Sequence, residues 1–201
     1  MATGEVFGVR IHGRGGQGVV TAAELLSVAA FCDGRCAQAF PSFGSERMGA
    51  PVVAFCRISH RPLRTREPIS TPDALIVQDA TLVHQVDLFA GVGPDGYVLV
   101  NTGRALHELG LGTVVARLRP ERILTVPATE LSREHTGRPV PNAVLLGAFA
   151  AATGAVSLES VLAAIRQRFE GAVAETNAAA ATAGYGRTRD AMTGSSRVAP
   201  A

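Results

Sequence analysis

Six residues, Gly13-Arg14-Gly15-Gly16-Gln17-Gly18, fit the spacing G-x-G-x-x-G. Glycines so spaced let a chain bend tightly and bring its backbone against a phosphate with no Cβ in the way. A helix starting at the last glycine adds free N–H groups and the positive end of its dipole, both attractive to an anion. Arg14 lies inside the turn and is a candidate bidentate phosphate ligand. Gln17 is suited to hydrogen-bond the ligand or a neighbouring loop. A complete dinucleotide fingerprint also needs an acidic residue at the end of the second strand, to hold a ribose hydroxyl. That strand ends Ala39-Phe40-Pro41, and Asp33, at roughly the right distance, precedes it. The pattern therefore favours an anion-binding turn over an NAD(P) site, with a ligand-free strand-to-helix turn as the plain alternative.

The second unusual stretch is Ser42-Phe43-Gly44-Ser45-Glu46-Arg47-Met48. In a doubly wound sheet this loop leaves the second strand close to the glycine turn, at the carboxyl edge where functional loops gather. One reading presses it against a ligand or another subunit, with Glu46 and Arg47 as paired recognition charges. The other makes it a surface loop with an internal ion pair that contributes little. His12, beside the turn, has no evident acidic partner and is expected to be a structural hydrogen-bonding residue. No G-x-S-x-G nucleophile elbow occurs, and no catalytic residue is assigned. The cysteines Cys32, Cys36 and Cys56 are an odd set without C-x-x-C spacing. Neither a disulfide nor a metal site is expected, and three thiolates fall short of the usual iron–sulfur set.

These residues need a scaffold. Phe7, Val9 and Ile11 alternate with Gly8 and Arg10, which predicts a strand ending on Gly13. Val19, Ala22, Ala23, Leu26, Ala29 and Ala30 recur at helical spacing after it. Strands are also expected at 35–40, 51–59, 73–79, 97–101 and 122–126, with a short helix at 81–89. Helices fill the C-terminal third, one with Ser157 as its N-cap. Alternating strands and helices imply an α/β fold, a Rossmann-like αβα sandwich with a mostly parallel sheet and a helical C-terminal part. Residues 1–186 read as one domain, and 187–201 as a flexible polar tail.

Composition agrees with a single core. The chain has 201 residues, 47% hydrophobic and 18% charged, so disorder is excluded. Aromatics are only 5%, which leaves Ala, Val, Leu and Ile to build the core. A net charge of +2 without long like-charge blocks gives no reason to expect nucleic acid as a partner. The locally basic stretch 57–68 reads as a solvated loop. No apolar run is long enough to span a bilayer, and the N-terminus lacks a signal-peptide pattern, so a cytoplasmic protein with no membrane partner is expected.

Taken in order, H-G-R-G-G-Q-G-V-V-T-A-A-E-L-L (12–26), the stretch 40–59 from Phe40 to Ser59, N-T-G (101–103), V-P-N-A-V-L-L-G (140–147) and E-T-N-A-A-A-A-T-A-G-Y-G (175–186) resemble one family. It is the gamma subunit, or gamma domain, of the 2-oxoacid:ferredoxin oxidoreductases, which include the pyruvate and ketoisovalerate enzymes. The likeness spans about residues 5 to 186. It implies a multi-subunit, oxygen-sensitive enzyme that converts a 2-oxoacid and coenzyme A to acyl-CoA and CO₂. Thiamine diphosphate with magnesium, and iron–sulfur clusters that pass electrons to ferredoxin, lie in alpha, beta and possibly delta partners. For this chain the resemblance implies assembly and coenzyme A binding, with no complete active site of its own. The sequence carries no thiamine diphosphate motif, in keeping with that division. The rival readings are a free-standing NAD(P)-dependent reductase and a regulatory nucleotide-binding module.

Overall fold

A computed structural model describes residues 6–42, 48–112 and 116–195. Six strands form one sheet: β1 (Phe7–Arg14), β2 (Cys36–Pro41), β3 (Pro51–Ser59), β4 (Ala74–Val77), β5 (Tyr97–Asn101) and β6 (Ile123–Val126). Their order across the sheet is β2-β3-β1-β4-β5-β6. The pairs β1/β4, β4/β5 and β5/β6 are parallel. Strand β3 runs antiparallel to both β1 and β2, so it is the one reversed strand in a mostly parallel sheet. It lies between β1 and β2, where a simple βαβ unit would leave the two side by side.

The helices described in full are α1 (Val19–Cys32), α2 (Ala128–Thr136), α3 (Asn142–Thr153), α4 (Leu158–Arg168) and α5 (Gly171–Ser195). Strand alternation divides the sheet into two faces. Val9, Ile11, Ala54, Cys56, Ile76 and Leu99 join α1, α3, α4 and α5 in the main core. On the other face, Leu75, Val77, Val98 and Val100 pack under Leu82, Leu88, Leu109, Leu111 and Leu118. Two short 3₁₀ turns, Ala80–His84 and Leu106–Leu109, form part of that cover.

Small residues let the C-terminal helices approach closely. A Cβ placed on Gly147 of α3 would stand 1.8 Å from the Ala181 carbonyl oxygen of α5. One on Gly184 would stand 2.1 Å from the Val144 carbonyl oxygen. The Ala-rich segment 178–183 serves this contact, with Ala180 and Ala181 fully buried.

Helix α5 corrects one expectation. The segment after Gly186 continues as helix to Ser195, with Thr188 1% exposed and Met192 packed on the core. Residues 196–201 lie outside the described residues. Ser157 caps α4 as expected, its Oγ accepting from the Ser160 amide at 3.1 Å. Asp33 ends α1, at the opposite end of that helix from the glycine turn. Its Oδ2 accepts from the Ser157 amide at 2.7 Å, and its Oδ1 from the hydroxyls of Ser157 at 2.8 Å and Ser160 at 2.7 Å. It ties α1 to the start of α4.

Candidate functional site at the glycine turn

Strand β1 delivers the chain to the sheet's carboxyl edge, and α1 leaves it after Gly18. Gly16 and Gly18 have φ of 93° and 71°, a region that L side chains rarely adopt. Gly13 is needed for space: a Cβ there would meet Val19 Cγ2 at 2.6 Å. Gly18 is the N-cap of α1 and offers no side chain to its free amides. The first amides of the helix, from Val19 to Thr21, have no intrahelical acceptor. The same residues line a cleft of about 300 Å³, together with Arg14, Gly15, Gly16, Gly18 and Val52.

Arg14 is placed differently from the phosphate ligand expected of it. Its Nε donates to Asp79 Oδ2 at 3.1 Å and its Nη1 to the Gly49 carbonyl at 3.0 Å. Its Nη2 donates to Thr81 Oγ1 at 2.8 Å and Gln85 Oε1 at 3.1 Å. Gln17 folds back within the turn. Its Oε1 accepts from the Arg14 amide at 2.8 Å, and its Nε2 donates to Asp79 Oδ2 at 2.9 Å. The guanidinium of Arg14 is thus engaged by partners within the protein.

Asp79, just beyond β4, was not among the expected site residues. Its Oδ1 accepts from the Thr81 amide at 2.9 Å and the Thr81 hydroxyl at 2.5 Å. Burial pushes its carboxyl up, but hydrogen bonds from the Thr81 hydroxyl, Gln17 and the Thr81 amide, with the Arg14 charge, outweigh this and hold it below the ordinary carboxylate value. One signal was available. An acidic residue two positions after the apolar run 74–77, and two before a threonine, is a capping arrangement at the same edge as the glycine turn.

The expected contact loop falls partly on Phe43, Gly44, Ser45, Glu46 and Arg47, which lie outside the described residues. Its flanks do abut the turn. Gly15 donates to the Ala50 carbonyl at 2.9 Å, and Gly49 donates to the Gly15 carbonyl at 3.2 Å. The Met48 sulfur would lie 3.1 Å from a Cβ on Gly16, yet the side chain is 89% exposed. Ser42 donates to the Val53 carbonyl at 2.8 Å, extending the β2–β3 ladder.

His12 departs from the role expected of it. It is buried, and neither ring nitrogen has a hydrogen-bond partner. Burial and, second, the Arg10 charge lower its pKa to about 4. Asn101, closing β5, donates to the Gln78 carbonyl at 2.7 Å and to Thr129 Oγ1 at 2.8 Å. Its Oδ1 accepts from the Thr129 amide at 3.1 Å, which caps the start of α2. Asn142 Oδ1 accepts from the Ala143 amide at 2.8 Å, a local backbone bond at the start of α3.

Among the described residues, no three His, Cys, Asp or Glu side chains gather as a metal-ligand set. Cys32 is exposed, Cys36 half-buried and Cys56 buried. No helix among the described residues is long and apolar enough to cross a membrane.

The chain resembles known proteins over almost its full length. The family model for pyruvate ferredoxin/flavodoxin oxidoreductase matches residues 8–187. Pyruvate synthase subunit PorC of Methanosarcina barkeri is 54% identical over 79% of this chain and 84% of its own. The pyruvate/ketoisovalerate oxidoreductases common subunit gamma of Pyrococcus abyssi is 45% identical over 90% of this chain and 96% of its own. The crystal structure of pyruvate oxidoreductase subunit PORC from Thermotoga maritima superposes with a TM-score of 0.76 at 34% identity, covering 90% of this chain and 96% of that one. These likenesses favour the oxidoreductase subunit over a free-standing reductase or a regulatory module. The chain belongs to the pyruvate ferredoxin/flavodoxin oxidoreductase family, as a gamma subunit of a 2-oxoacid:ferredoxin oxidoreductase.

Proposed function

We propose that this gamma subunit serves assembly of the enzyme and holds the anionic part of coenzyme A at the glycine turn. The observation that carries the reading is the open cleft at the start of α1, where the helix has no side-chain cap. A phosphate seated there would receive hydrogen bonds from backbone N–H groups at the positive end of the helix dipole. In this reading Gly13, Gly15, Gly16 and Gly18 shape the turn, while Arg14 and Gln17 hold it in place. The loop Ser42–Met48 meets the partner subunits.

Thiamine diphosphate, magnesium and the clusters then belong to alpha, beta and possibly delta subunits, with ferredoxin as acceptor and the cytoplasm as location. They supply decarboxylation of the 2-oxoacid and electron transfer. This chain's contribution is to place the coenzyme A thiol end near the acyl group by anchoring its far, charged end. Positioning of this kind lowers a barrier by holding the reactants in a productive geometry.

The test is Thr21→Glu in the assembled enzyme, with Thr21→Gln as control. A glutamate in the first turn favours the helix but places negative charge on the cleft wall. KM for coenzyme A should rise about tenfold or more, on the scale of one repelled charge, with the 2-oxoacid KM unchanged. An unchanged coenzyme A KM would defeat the reading. A second reading, in which turn and loop make only subunit contacts, is favoured by Met48, exposed beside Gly16. Under it, Thr21→Glu costs co-purification of the partners and leaves coenzyme A saturation alone.

A further inference from the structure

We propose that Asp79 is a positioning residue for the coenzyme A step: it fixes the glycine turn and, through Arg14, joins that turn to the loop entering β3. The inference rests on the proposed coenzyme A site. Its evidence is the convergence of three residues, Arg14 and Gln17 of the turn and Thr81, on one carboxylate. Oδ2 accepts from Arg14 Nε and from Gln17 Nε2, so the first and last parts of the turn share a single acceptor. Oδ1 accepts from the Thr81 amide and hydroxyl, which anchors the carboxylate to its own strand end. The Thr81 hydroxyl also accepts from Arg14 Nη2, so the guanidinium is held on two sides.

The remaining Nη1 of Arg14 donates to the Gly49 carbonyl, 35 residues along the chain. Gly49 donates in turn to Gly15. The glycine turn and the end of the partner-facing loop therefore move as one body, with Asp79 at its root. The Arg14–Asp79 pair is largely covered, with side-chain exposures of 23% and 15%, so it is less screened by water than a surface pair. The arrangement also keeps the Arg14 charge out of direct ligand contact. Asp79 touches no reacting atom in this scheme and acts through the turn.

The assembled enzyme carrying Asp79→Ala, Asp79→Glu or Arg14→Gln tests this, with KM for coenzyme A, KM for the 2-oxoacid and kcat at saturating coenzyme A as readouts. Asp79→Ala should raise the coenzyme A KM about tenfold, the scale of a lost charge-assisted hydrogen bond. The other two parameters should stay within about threefold, a split that general loss of structure would not produce. Asp79→Glu should recover part of the loss. The double variant Asp79→Ala/Arg14→Gln should be no worse than either single one, because both remove the same strut. A coenzyme A KM that falls in Asp79→Ala would show Arg14, once released, contacting the ligand, and would overturn the proposal. So would an unchanged KM where Thr21→Glu raises it, a pattern that keeps the site and removes only the role of Asp79. If both leave it unchanged, the coenzyme A reading itself fails. Equal loss of all three parameters, with partners still bound, would assign Asp79 to general stability and also overturn the proposal.

Discussion

Two glycines of α5, two residues apart, should respond to the same substitution with opposite signs. Gly184 is buried against α3, and a Cβ there would lie 2.1 Å from the Val144 carbonyl oxygen and 2.9 Å from its carbon. Those are backbone atoms, which cannot swing aside. Helices α3 and α5 must part by more than half an ångström to admit the methyl group, loosening Phe149, Ala180 and Ala181, all fully buried. Overpacking of this kind costs about 3 kcal/mol, at the upper end for an inserted methyl group. The helix propensity gained from Gly to Ala returns about 1 kcal/mol, so the net loss is about 2 kcal/mol. Gly186 has open space where its Cβ would go. Gly186→Ala should therefore stabilise by about 0.5–1 kcal/mol. For a chain of this size the two variants should melt about 4–8 °C below and about 1–4 °C above the parent. Thermal unfolding followed by calorimetry reads both. Gly147→Ala should resemble Gly184→Ala, and the double variant should lose less than the sum, because the first methyl has already parted the helices. Equal melting temperatures for Gly184→Ala and Gly186→Ala would refute the account of backbone contact between these helices.

Other outcomes follow from buried polar groups. Asp33→Ala removes three acceptor bonds at the start of α4 and should cost about 2–3 kcal/mol, measured by urea unfolding. Burial raises the Asp33 carboxyl, but the hydrogen bonds of Ser160 and Ser157 and the charge of Arg35 bring it below its usual 3.8. Its stabilisation is thus full above that value and lost as pH falls through the lower folded value; Asp33→Asn should flatten this acid limb of the stability curve. His12 works over a different range. Its folded pKa of about 4 lies below the ordinary 6.5, so the unfolded chain takes up a proton first as pH falls. Stability should drop by about 3 kcal/mol between those values, and His12→Leu should remove that part of the drop, read from unfolding curves at several pH values.

What the sequence disclosed was mostly local. The strand, glycine turn and helix at 7–32 are legible because alternation, glycine spacing and helical periodicity succeed one another without a break. Strand β3 was legible as a strand but its direction was not, since reversal is decided by pairing with β1 and β2 rather than by Pro51–Ser59 alone. The partners of Arg14 were hidden for a related reason. An arginine in a glycine turn suggests a phosphate until its neighbours are known, and Asp79, Thr81 and Gln85 arrive from β4 only when the parallel pairing with β1 forms. Asp33 drew notice by its distance from the glycines, whereas its partners Ser157 and Ser160 stand more than 120 residues away. The end of α5 was hidden by composition. Arg187, Thr188, Arg189 and Asp190 look like a solvated tail, yet their helical spacing buries Thr188 and exposes the rest.

The reversed strand β3 has a consequence for how such a subunit diversifies. Strands β2 and β3 close their own hairpin through six residue pairs, from Cys36–Ser59 to Pro41–Ala54. Residues added or removed at the hairpin's tip leave that ladder in register, because loop closure grows only slowly in cost with length. The glycine turn has no such freedom: one residue inserted into β1 would send Ile11 to the wrong face and pull Arg14 away from Asp79. Descendants of this fold can therefore change the length of the connection between β2 and β3 while the turn beside it stays constant.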